Sequence, residues 1–187
     1  MINILMDVNK AILERRTIHM FESKTVSEEI ILQAITAANQ APCHKLTFPW
    51  RFYSVSMEKR NEILNLVIEL KSKLGSLDEK SKNIIRQKYL NPSHLLIASQ
   101  IIHQDENTKR EDYAACSCAI QNLSLSLTSH GVFTKWSTGS VTNNLKVYKI
   151  LNLSPQKEEI IGFIWIGYGK NLSKIARPSI DKIYKLI

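Results

Sequence analysis

Three short stretches concentrate polar chemistry: Arg15-Arg16-Thr17, then Ala41-Pro42-Cys43-His44-Lys45, then Trp136-Ser137-Thr138-Gly139. Two adjacent guanidiniums beside a hydroxyl offer forked donors suited to a phosphate or other oxyanion, and His19 adds a further donor close by. Cations that end a helix also interact favourably with its dipole, so a solvated helix terminus is the alternative. His44 and Lys45 lie between Pro42 and Pro49, in a loop whose φ angles are restricted at both ends. An exposed imidazole and a site residue both suit that position. Cys43 beside His44 is not a nucleophile pair, because sequence neighbours rarely face each other and no third group orients them. Trp136 sets a flat apolar ring next to hydroxyl and backbone donors. That combination suits a planar heterocycle, or equally a core tryptophan followed by a turn.

The rest of the composition narrows the classes. The chain has 187 residues, 44% of them hydrophobic and 22% charged, which fits one globular domain over residues 1–187 and excludes wholesale disorder. A net charge of +8 suits an anionic ligand or partner. The basic residues are dispersed and aromatics are only 7%, which disfavours a nucleic-acid binder. No Gly-x-Gly-x-x-Gly fingerprint follows a strand, and no phosphate-binding Gly-Lys-Ser/Thr loop, His-Glu-x-x-His or Gly-x-Ser-x-Gly is present. Cys43, Cys116 and Cys118 lack the pairing of a disulfide framework or a metal site, so they are expected to be structural, with no metal bound. The amino end meets Asp7 before any long apolar stretch forms, and Ile160–Tyr168 is far short of the ~20 residues that span a bilayer. A cytoplasmic protein with no membrane partner is expected.

These groups need elements to hold them. Leu5, Val8 and Ile12 recur at helical spacing and predict a first helix running into Glu14-Arg15-Arg16. Thr25 with Glu28 reads as a capping box before the amphipathic stripe Ile30, Ile31, Ala34, Ile35 and Ala38, which Pro42 stops. Trp50–Ser56 reads as a strand. Ile63, Leu66, Val67, Leu70 and Leu74 predict a helix ending at Gly75. A polar helix follows over 78–89, then a short buried strand at Leu95–Ala98. The longest helix is expected over 111–130, closed by Gly131, with small residues that allow another helix close approach. An extended segment at 132–138, a helix at 142–151 and a central strand at 160–168 complete the pattern. Helices and strands intermix without regular βαβ alternation, so an α+β fold is favoured.

In this order and spacing the pieces resemble the FMN-dependent nitroreductase family, in particular its small YdjA-like branch. Arg15-Arg16-Thr17 is similar to the family's Arg-Arg-Ser. Ala41-Pro42-Cys43-His44-Lys45 with Pro49-Trp50-Arg51-Phe52 is similar to its Ala-Pro-Asp-His-Lys-x-x-Gln-Pro-Trp-x-Phe. Gly131 with Trp136-Ser137-Thr138-Gly139 resembles the branch's Gly-x-x-x-x-Trp-Arg-Ser-Gly. The resemblance implies a mostly antiparallel central sheet flanked by helices, and a homodimer with an extended exchanged tail and flavin sites at the subunit interface. It implies FMN as cofactor and NADH or NADPH as co-substrate. The implied cycle is ping-pong: hydride passes to flavin N5, then to a flat acceptor such as a nitroaromatic or quinone, with no side chain required as catalyst.

Carried over by position, Arg15, Arg16 and Thr17 would hold the ribityl phosphate, joined by Arg177. His44, with Gln40, would come from the loop laid over the partner's flavin, and Trp136, Ser137 and Thr138 would line the isoalloxazine. Phe48 replaces the usual Gln, Ser137 replaces an arginine, and His19 stands where relatives carry Arg or Lys. The Phe48 and Ser137 departures motivate an alternative, an FMN-binding protein for storage or sensing without turnover.

Overall fold

A bulged strand forms the middle of the molecule. The computed structural model describes residues 7–169 and 175–187. Within them the chain runs α1 (Val8–Glu14), α2 (Glu28–Ala38), a 3-10 turn (His44–Leu46), β1 (Trp50–Ser54), α3 (Met57–Ser72) and α4 (Glu79–Leu90). It continues through β2 (His94–Ile101), α5 (Glu106–Ser129), β3 (Phe133–Ser137), α6 (Leu145–Leu151), β4 (Glu158–Gly167) and a second 3-10 turn (Ile180–Lys182). The four strands pair antiparallel in the order β1-β2-β4-β3. This is the α+β sheet flanked by helices that the sequence led us to expect.

Alternation along the strands divides the apolar residues between two helical layers. Leu96, Ala98, Ile164 and Ile166 pack with α2 and α5, through residues such as Ile31, Ala34, Ala119 and Leu123. Leu95, Ile97, Phe163 and Trp165 pack with α3, α4 and α6, through Ile63, Val67, Tyr89 and Val147. The pairing of β2 with β4 slips between Ala98 and Ser99, leaving Ile161 as the extra residue. Side chains satisfy the backbone there: Ile160 N–H donates to Tyr148 Oη at 2.8 Å, and Trp136 Nε1 donates to the Ile161 carbonyl at 3.1 Å.

Local chemistry sets the element ends, with some departures from the expected boundaries. Leu5 lies outside the described residues. The N-cap of α2 is Ser27, not Thr25, and makes no side-chain cap bond. Helix α3 ends at Ser72, capped by Lys73 in ordinary right-handed geometry, so Gly75 is not its left-handed terminator. Helix α5 begins earlier than the apolar stripe suggests, because Asp105 caps it by accepting from Thr108 N–H. Gly131 does close α5, at φ +69°.

Gly162 has no room for a side chain: an added Cβ would stand 2.0 Å from Trp136 Nε1. Gly162→Ala is therefore expected to lower the unfolding free energy by about 1–3 kcal/mol through overpacking at the bulge. Urea titration measures this, and an unchanged midpoint would contradict the packing described.

Candidate functional site

Helix α1 ends at Glu14 with Arg15 as its C-cap, and the chain then runs extended alongside β3. Thr17 forms a parallel bridge with Thr134, and Ile18 N–H donates to the Thr134 carbonyl at 3.3 Å. Ile18 and Phe21 turn inward to the α3/α4/α6 layer, leaving Thr17, His19 and Met20 exposed. The close approach depends on glycine: a Cβ at Gly169 would lie 2.6 Å from Ile18 and 2.8 Å from the Met20 carbonyl. Arg16 folds back to donate to the Leu13 and Arg15 carbonyls.

The arginines converge. Burial first, then repulsion from Arg177 and Arg16, hold the Arg15 guanidinium below its ordinary pKa. The fold thus returns the distant Arg177 to the end of α1. The distribution of donors fits an oxyanion: three cations with forked N–H groups, with the exposed Thr17 next in sequence.

Beyond the arginines a cleft of about 400 Å³ opens between the 19–21 segment, α4 and β3. His19, Met20, Phe21, Ile84, Lys88 and Lys135 line it. A second cleft of about 250 Å³ lies on the other side of Lys88, walled by Ser137, Thr138 and Gly139 at the end of β3 and by Trp165. Lys135 is pushed down to about 8, by burial first and then by the Lys88 ammonium. Burial alone holds the Tyr89 phenol up at about 12. Lys88 and Lys135 are not legible as site residues in the sequence, because neither sits in a motif. Their nearest signal is the alternation in β3, which turns Lys135 to the same face as Ser137.

Not every expected residue joins this group. Trp136 faces the opposite layer, against α2 and α5, where its indole anchors the bulge. Ser137 accepts from Trp165 Nε1 at 3.0 Å, which gives its hydroxyl a core partner. Gln40 and His44 are exposed beside β1, the opposite edge strand, roughly 14 Å from β3 at ordinary strand spacing. Helix α5 shows the same separation: the His44 loop ties to Asp112, while Thr134, the β3 residue that Thr17 bridges, ties to Ser124, roughly 18 Å further along. One chain does not bring the imidazole loop to the arginines.

That loop carries strain and has dedicated supports. Lys45, Leu46 and Phe48 adopt positive φ of 57°, 54° and 44°, unfavourable for residues with a Cβ. Lys45 Nζ donates to Thr108 at 2.9 Å and lies 3.7 Å from Glu111. The Thr47 hydroxyl donates to the buried Asp112 carboxylate, and Phe48 N–H meets Cys43 Sγ at 3.3 Å. Phe48 sets its ring edge-on to Trp50, 5.8 Å between centroids. Cys116, beneath the loop, is raised to about 12 by burial, then by Asp112 and Cys43, so it is an unreactive thiol.

Comparison with known proteins agrees with this fold. The model of the Nitroreductase family matches residues 12–168, and the chain belongs to that family. YfhC of Bacillus subtilis, which carries a provisional name as an NAD(P)H nitroreductase, is 33% identical over 171 residues, spanning 89% of this chain and 84% of its own. Among solved structures, a nitroreductase-like family protein from Bacillus cereus superposes with TM-score 0.83 at 23% identity, covering 97% of this chain and 96% of that one. A nitroreductase with bound FMN from Bacteroides fragilis gives TM-score 0.76 at 21% identity, covering 97% and 100%.

The Lys135 shift has a stability consequence. Its folded value, about 8, lies below the ordinary 10.5, so between these the unfolded chain binds more protons and stability rises with pH. Lys135→Met is expected to be more stable than the wild type near neutrality, by a margin that shrinks as pH rises through that window. Urea midpoints of the two chains measure it; a margin independent of pH would contradict the assigned burial.

Proposed function

We propose that the chain is an FMN-dependent NAD(P)H oxidoreductase that works as a homodimer and reduces a flat acceptor such as a nitroaromatic or a quinone. The observation that carries this reading is the convergence of Arg15, Arg16 and Arg177 beside an apolar cleft of cofactor size. Family membership and the NAD(P)H and FMN in the relatives' names support it. FMN supplies the two-electron chemistry, accepting hydride from NAD(P)H and passing it on.

The chain's own residues bind and orient. Arg15, Arg16 and Arg177 grip the phosphate, with the Thr17 hydroxyl as a further donor. His19, Lys88, Lys135 and Thr138 meet the polar edge of the ring system, while Met20, Phe21 and Ile84 exclude water from it. Trp136 acts from behind, since its bond to the bulge fixes the end of β3 and with it Thr138 and Gly139. His44 and Gln40 serve the partner's site, because within one chain they stand at the far edge of the sheet.

A second copy also accounts for the exposed apolar surface. Val8, Ile12 and Leu13 on α1 are exposed, as are Ile180, Ile183, Tyr184 and Leu186 in a tail without buried residues over 175–187. Such a concentration marks an interaction surface.

The purified chain is expected to sediment as a dimer, bind FMN and oxidise NAD(P)H when menadione or nitrofurazone is supplied. Arg177→Ala should weaken FMN binding about 10–100-fold, the worth of one charged hydrogen bond of ~1.5–3 kcal/mol, read by flavin fluorescence. FMN bound without NAD(P)H-driven turnover would leave the storage reading. No flavin bound would overturn the proposal.

A further inference from the structure

Helix α5 buries a carboxylate that the proposed flavin site does not use. Asp112 is 4% exposed and, among the described residues, forms no ion pair. Burying a charge without a cation beside it lowers the stability of a fold. The hydrogen bond that Asp112 makes reaches out of the core, to the Thr47 hydroxyl in the exposed loop that carries His44.

That loop is not held by packing. Every residue from His44 to Phe48 is exposed, and the one ring contact is the edge of Phe48 against Trp50. Lys45, Leu46 and Phe48 keep left-handed φ angles, which persist only where other contacts enforce them. The ties from Lys45 to Thr108 and Glu111, and from Arg51 to the Phe48 carbonyl, start from exposed cations and hold weakly. Asp112 holds more strongly, because a charged acceptor shielded from water makes the stronger bond. Its hold also extends through the loop. Thr47 gives its one hydrogen to Asp112, so its oxygen accepts from the Cys43 thiol at 3.3 Å. Cys43 Sγ in turn accepts from Phe48 N–H at 3.3 Å. Both ends of the strained stretch are thus tied to one buried carboxylate, with His44 between them.

We propose that Asp112 is a positioning residue: through Thr47 and Cys43 it keeps the loop in the conformation that places His44 over the flavin of a second copy. This rests on the homodimeric FMN reading above. A loop already set in its bound conformation does not have to be ordered when the site closes, so affinity is gained without a new contact. The carboxylate that sets it makes its own chain less stable. Asp112 touches neither flavin nor acceptor and exchanges no proton with them.

The test measures FMN dissociation constants by flavin fluorescence and, on FMN-free chains, urea midpoints. Asp112→Leu is expected to weaken FMN binding about tenfold, as when about one loop in ten is ready to bind, while the midpoint stays or rises. Thr47→Val, at an exposed position, should weaken binding equally, and the double variant no further than either alone. Asp112→Asn, whose amide oxygen still accepts from Thr47, should keep wild-type affinity. In a His44→Ala background Asp112→Leu should have no additional effect, a silence that a merely structural role would not produce. Wild-type affinity in Asp112→Leu, or its full loss repeated in the His44→Ala background, overturns this inference alone. If Asp112→Leu does not fold, Thr47→Val with and without His44→Ala decides by the same two outcomes. A wild-type chain that binds no FMN overturns the FMN reading along with it.

Discussion

Repulsion among Arg15, Arg16 and Arg177 is the constraint on which the proposed function depends. Arg15 is held below its ordinary pKa by burial first and then by Arg177 and Arg16, so the cluster opposes its own assembly unless an anion joins it. The fold nevertheless builds it from three places: the end of α1, the residue after it, and the tail beyond β4. Gly167 and Gly169 let the segment after α1 lie flush on the sheet's edge, where side chains would collide with Phe21, Ile18 and the Met20 carbonyl. Close packing of backbone there spends conformational freedom to place charge, which is the pattern of a binding site rather than of a core.

The same logic connects the departures from the family pattern. Phe48, in the position usual for Gln, becomes an edge partner for Trp50 within a strained loop that Thr47, Asp112 and Lys45 tie to α5. Ser137, in place of an arginine, is absorbed into the core as the acceptor for Trp165. His19 replaces a permanent cation, yet Lys88 and Lys135 stand in the same cleft. Positive charge in this cleft thus comes from a helix and a strand that face each other rather than from motif positions.

Much of this is legible in the residues alone because short-range physics sets it. The apolar run of β4, the closure of α5 at Gly131 and the proline-bounded loop each follow from residue type. The arginine motif is equally plain. The start of α5 is not, because a hydrophobic stripe marks where a helix packs, while Asp105 decides where it begins. Nor is the bulge at Ile161, which arises from register between strands distant in sequence and decides that Trp136 turns away from Ser137. The Lys88–Lys135 contact is a product of tertiary packing and leaves no periodic trace.

In the dimer we propose, the arginines of one copy and the imidazole loop of another would close on a single phosphate-bearing cofactor. A crystal structure of the chain with FMN measures this most directly. The phosphate is expected within hydrogen-bonding reach of Arg15 and Arg177 of one protomer, with His44 of its partner over the same flavin. A flavin held by a lone protomer, or a phosphate bound away from Arg15, would contradict it.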